Sequence, residues 1–301
     1  MSPFSRYAYA VLWYNILVVC WGALVRATGS GAGCGEHWPL CNGSVVPAFP
    51  QAHTIIEFTH RITSGFALIS VVVLYLRARR AFDKSAPARR AAFYALIFMI
   101  NETLIGALLV LLGLVAGSRS PWRAAVLAVH LVNTLLLLAA IALAAWWSAR
   151  TPSGASSPLS KQLRWATVAI IVISALGGIA ALGDTLFPAA SLSDGVREEF
   201  SRSAPLLVRL RVLHPVAAFL GGAFLLWIAS KAQSLYRDPQ VLRYAAAIQL
   251  LTFAQFVLGA VNIFLLTPLW TQLTHLLLTD LLWVSLVLLS ASVMAARPQP
   301  S

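Results

Sequence analysis

Charge is scarce in this chain. Only 11% of its 301 residues are charged, against roughly 25% in ordinary globular proteins. Acidic residues are scarcer still, ten against 22 lysines and arginines. With 59% apolar residues and a mean hydropathy of +0.79, a soluble domain could not cover its surface with polar groups. The same composition excludes disorder, and three cysteines are too few for a disulfide-stapled secreted scaffold. Neither collagen triplets nor coiled-coil heptads occur. What is left is an all-α integral membrane protein made mostly of spanning helices.

Apolar runs long enough to cross a hydrocarbon core, about 20 residues each, fall near 9–28, 53–76, 91–114, 122–147, 164–183, 207–230, 242–266 and 270–295. The first run lacks a small-residue cleavage site and reads as a retained helix rather than a signal peptide. Fourteen lysines and arginines lie on the side of the two termini, and six on the opposite side. That asymmetry places both termini in the cytoplasm. It also accounts for the net charge of +12 without a nucleic-acid partner. The 29–52 loop then faces outward. A Pro/Ser-rich linker over 151–163 divides the chain into halves, 1–150 and 164–301.

The halves look related. Leu104-Ile-Gly-Ala-Leu in span three echoes Val257-Leu-Gly-Ala-Val in span seven, 153 residues on. His60 and His214 are 154 apart, and His130 and His275 are 145 apart. The common order predicts two pseudo-symmetric four-helix bundles.

Four of the six histidines, His60, His130, His214 and His275, lie on spans two, four, six and eight. Each falls five to nine residues after its helix begins, which at about 1.5 Å per residue is roughly 8–13 Å below the outer surface. Two imidazoles projecting inward at one depth from facing helices suit the two axial positions of a haem iron. Zinc suits them less, because no additional Cys, His or carboxylate ligands accompany each pair at that depth.

The halves differ beside the histidines. Glu57, three residues before His60, shares its helix face and is a candidate acid–base group; alternatively it pairs with Arg61 at i, i+4. The second half has Arg211 in the equivalent place. Arg61 and Arg211 are candidate haem-propionate or pocket contacts, although a snorkelling Arg211 explains its position equally well. Glu102 and Asp280 are buried polar groups with no catalytic role assigned. In the outer loop, Cys34 and Cys41 sit seven apart among glycines. They admit a disulfide on an oxidising face or, with His37 and His53, a small zinc site. Cys20, inside an apolar run, reads as a packing residue.

Gly22-Ala-Leu-Val-Arg-Ala-Thr-Gly-Ser-Gly-Ala-Gly-Cys34, Trp38-Pro-Leu-Cys41-Asn-Gly43 and Glu57-Phe-Thr-His60-Arg61 together resemble the bacterial heme A synthase family, in its type with a cysteine pair in the first outer loop. The likeness extends along the whole chain; in the second half it rests mainly on the two histidines. It implies an oxidoreductase of the cell membrane that converts the C8 methyl of heme O to the formyl of heme A by successive hydroxylations, for terminal oxidase assembly. It also implies substrate heme O between His60 and His130, resident haem b between His214 and His275, a required Glu57, and a Cys34–Cys41 disulfide. A heme O supplier (heme O synthase) and an electron-transfer partner are the expected partners besides lipid, and assembly into oligomers is compatible with this reading. A diheme b-type cytochrome that only passes electrons is the competing reading. It would use the same four histidines but would not need Glu57 in one half only.

Overall fold

A computed structural model describes residues 2–150 and 157–298. Its helices are α1 Pro3–Ala27, α2 Ala52–Ala81, α3 Pro87–Leu111, α4 Pro121–Trp147, α5 Ser160–Leu186, α6 Leu192–Glu199, α7 Leu206–Leu210, α8 Leu213–Leu235, α9 Pro239–Phe264 and α10 Leu269–Ala295. Among the described residues, eight helices are long and apolar enough to cross a membrane, with α7 and α8 counted together as one span.

Local chemistry sets the helix starts. α1, α3, α4 and α9 each begin on a proline, whose fixed φ and missing N–H suit the first helical position. Ser2, Ser120 and Asp238 cap three of them through side-chain oxygens that accept backbone N–H groups. Helix ends outrun the hydropathy signal. α2 continues to Ala81, so Arg77, Arg79 and Arg80 lie in its last turns rather than in a loop. Arginine is a good helix former and carries its charge to the interface on a long stem.

Two further departures have simple causes. Span six is interrupted between α7 and α8 because Pro215 has no N–H to offer the carbonyl of Arg211. That carbonyl accepts instead from the His214 N–H at 3.2 Å, a tighter turn. The short helix α6 was not expected; it starts where the Ser191 hydroxyl accepts the Asp194 N–H at 3.2 Å. Of the expected linker, residues 151–156 lie outside the described residues, and α5 already begins at Ser160, inside its far end.

The helices pack as two rings. α1 packs on α2 and α4, α2 on α3, and α3 on α4; likewise α8 packs on α5 and α9, and α10 on α9 and α5. Contacts of α4 with α5 and α10, and of α1 with α10, join the rings along one wall. One buried apolar cluster runs through both. It takes Phe4–Ile16 of α1, Ala67–Ala78 of α2, Leu135–Trp147 of α4 and Leu282–Val293 of α10, with matching segments of the other spans. All of these come from one end of the bundle, and the four histidines lie towards the other. Within the cluster, the Trp283 indole donates to the Leu135 carbonyl at 2.6 Å, tying α10 to α4.

Candidate haem sites

Each intramembrane histidine lies six to nine residues past the start of its span. Each also faces a glycine of the preceding span. A Cβ built on Gly22 would stand 3.0 Å from the His60 ring, and one on Gly177 only 2.8 Å from the His214 ring. Gly106 and Gly259 face His130 and His275 at the looser distances of 4.0 and 3.6 Å. Hydrogen in place of a side chain lets α1 and α5 approach close enough to seat a ring edge-on. A Gly177→Ala substitution is therefore expected to displace His214 and weaken haem retention by at least about tenfold, the loss seen when outer-shell support of a metal ligand is removed. Gly259→Ala should be tolerated. Haem content per purified protein measures both.

The second ring gives the clearest geometry. The His214 and His275 ring centres are 6.2 Å apart with planes crossed at 83°. An imidazole nitrogen binds a metal at about 2 Å and lies about 1 Å from its ring centre, so two rings on one ion have centres about 6 Å apart. His214 and His275 therefore fit a bis-histidine iron. The His214 Nδ1 lies 3.1 Å from the Ile173 carbonyl, which can accept only an N–H; Nε2 is then the free lone pair for a metal. In the first ring His60 and His130 face Gly22 of α1 and Gly106 of α3. The His130 Nδ1 faces the Glu102 carboxylate at 3.6 Å.

Glu57 is buried, and both of its oxygens are engaged. One accepts the Cys34 backbone N–H at 2.8 Å; the other pairs with Arg61 at 2.5 Å. Arg61 also donates to the carbonyls of His37 and Leu40 at 2.5 and 2.6 Å. The i, i+4 pair is thus formed, and it clamps the loop between α1 and α2 onto α2 one turn from His60. Cys34 and Cys41 are joined in a disulfide, so neither sulfur is free for a metal. Gly33 lets this loop touch α2, since a Cβ there would come within 2.5 Å of the His53 carbonyl.

Arg211 is turned towards carboxylates: Asp184 at 2.8 Å, Glu199 at 3.6 Å and Glu198 at 4.0 Å. Three acids around one guanidinium oppose the approach of a further anion such as a propionate. Burial raises the Glu199 carboxyl above the ordinary carboxylate range; Arg211 acts against this and Asp184 adds to it. Asp280 is fully buried, and neither of its carboxyl oxygens has a hydrogen-bond partner.

Sequence reasoning did not anticipate Arg26 as a link between the rings. It donates from α1 to the Ala181 carbonyl and Thr185 hydroxyl of α5, and to the Gln272 amide oxygen of α10, at 2.7–2.9 Å. The seats Gly22 and Gly177 were also missed, though their 155-residue offset nearly repeats the histidine spacing. A lipid-facing groove of about 500 Å³ between α3 and α4, lined by Leu104, Ile105, Val129, Val132 and the amides of Asn101 and Asn133, flanks His130.

Residues 5–287 match the COX15-CtaA family, described as cytochrome oxidase assembly protein. The chain belongs to this family. A heme A synthase of Geobacillus kaustophilus is 31% identical over 86% of this chain and 82% of its own length. One from Geobacillus thermodenitrificans is 29% identical over 95% of this chain and 90% of its own. A Thermus thermophilus protein named protoheme IX farnesyltransferase is 44% identical over 97% of this chain. This chain spans only 49% of that relative's length. COX15-CtaA membership agrees with the eight spans and the cysteine-paired outer loop.

Proposed function

We propose that this member of the COX15-CtaA family is a heme A synthase: it binds heme O in the first ring and oxidises the C8 methyl to a formyl group. The observation that carries the reading is the pair of glycine-seated imidazoles, His214 and His275, at the separation one iron requires. The full-length likeness to proteins named heme A synthase supplies the reaction. His60 and His130 would hold the substrate, and His214 and His275 would hold haem b, which supplies one-electron redox chemistry when bound. The recurring glycine–histidine pairs support two related halves, 1–150 and 164–301. The excess of basic residues on one side supports cytoplasmic termini in a bacterial cell membrane.

The chain's own residues have distinct tasks in this reading. Glu57 holds the disulfide loop over the outer edge of the site and is the carboxylate nearest in sequence to His60 for moving the protons that each hydroxylation releases. Arg61 holds that carboxylate in place through their ion pair. The α3–α4 groove suits the isoprenoid chain of heme O. At the positions of the second half that correspond to Ala128, Val132 and Asn133, α10 carries Leu273, Leu277 and Leu278, which are larger. The Thermus relative is named for a farnesyltransferase and is matched over only 49% of its length, which supports a heme O supplier as a neighbour in the membrane.

Pigments extracted from the purified full chain test the reading. With a heme O source the expected composition is haem b with heme O and heme A; with protoheme alone it is haem b only. Haem b as the only pigment despite a heme O source would establish the electron-passing cytochrome instead.

A further inference from the structure

Glu102 has no part in the reading above, yet its surroundings are specific. It lies on α3 one turn before Gly106, which faces the His130 ring. One oxygen accepts the Thr134 hydroxyl and the other the Asn133 amide, both at 2.6 Å. The Asn133 amide is itself fixed to the Phe98 carbonyl at 2.8 Å. Both donors stand on the ligand's own helix, three and four residues after His130. They hold the carboxylate with Oε1 3.6 Å from the His130 Nδ1, a buried nitrogen without a hydrogen-bond partner. Shortening that distance by roughly half an ångström makes it a hydrogen bond of ordinary length.

The second ring supplies an internal comparison. The residue 153 positions on is Gln255, at the offset that relates Gly106 to Gly259. Its amide nitrogen donates to the Thr279 hydroxyl at 2.5 Å and to the His275 carbonyl at 3.0 Å. Thr279 corresponds to Thr134. The scaffold is therefore repeated, but a neutral amide stands where the first ring has a carboxylate. His214, the other ligand of the second ring, is oriented by a neutral carbonyl. Among the described residues a carboxylate within 4 Å of one of these four imidazoles occurs in the first ring only; Asp184 acts on His214 from farther away.

Resting on the assignment of His60 and His130 as ligands, we propose that Glu102 is a positioning residue that accepts the Nδ1–H of His130 and so makes the first-ring haem easier to oxidise than the second-ring haem. A carboxylate in this place fixes the tautomer and ring plane and raises the basicity of the ligand. A more basic axial ligand stabilises ferric over ferrous iron, and outer-shell hydrogen bonding is one of the levers that sets haem potential.

The test is a redox titration of the full chain loaded with heme O and haem b, followed by optical and EPR spectra for each haem. In Glu102→Gln the ferric-to-ferrous ratio of the first-ring haem at fixed potential should fall about tenfold, a rise of about 59 mV for a one-electron couple. The second-ring haem should not move. Should Glu102→Gln fold poorly, Glu102→Met removes the charge without burying an amide, and the same shift is expected. An unchanged first-ring potential in whichever variant folds overturns the proposal. His130→Ala separates the two levels. Loss of the first-ring haem signal there, with no shift in the Glu102 variants, would sink the role of Glu102 alone. An intact first-ring signal in His130→Ala would overturn the ligand assignment, and this proposal with it.

Discussion

Glu57→Gln, supplied with heme O, should keep its haem b and lose heme A on the order of 100-fold, the usual scale of a general acid–base contribution. The choice of glutamine matters because Glu57 is a clamp as well as a candidate base. Glu57→Ala would leave Arg61 half-buried without its partner, and breaking a buried pair from one side costs about 3–5 kcal/mol. Loss of activity there would report only on the loop. Glutamine keeps one oxygen that can accept the Cys34 N–H; its amide nitrogen cannot accept from Arg61, which retains the His37 and Leu40 carbonyls as acceptors. The haem composition of this variant separates the roles. A normal heme A yield would confine Glu57 to bracing the outer loop.

His275→Ala should lose haem b with an affinity at least about 100-fold weaker, since loss of outer-shell support alone costs 10–100-fold. His60→Ala should leave haem b in place and abolish heme A formation, because its ring belongs to the other pair. The contrast is read from the haem b content of the two variants purified side by side. Equal loss of haem b in both would mean that the rings do not divide the haems as proposed.

Much of this was legible in the sequence, for identifiable reasons. The spans were, because a continuous apolar run is what a bilayer demands. The depth of the four histidines was, because rise per residue is constant along a helix. The cysteine pair was legible as a disulfide or a small zinc site, and the family resemblance favoured the disulfide that is present. Partners across the fold were not. Nothing in a one-dimensional pattern joins the Cys34 N–H to Glu57, because a backbone donor leaves no residue-type signature. Arg211 looked available for a propionate because Asp184 and Glu199 lie in segments whose folding back could not be read. The break before α8 was not read, although Pro215 lies at it, and the approach of Glu102 to His130 needed the register of α3 against α4.

The apolar cluster lies at one end of the bundle and the four ligands lie towards the other. Helices of this length, about 40 Å for 27 residues, are held most extensively at the end with the cluster; towards the histidines the joints are fewer, among them the Arg26 hydrogen bonds and a small cluster of Ala124, Leu182 and Leu207. Cohesion is thereby concentrated at one height in the membrane, and in the function proposed above the bulky, tailed porphyrins bind at the other.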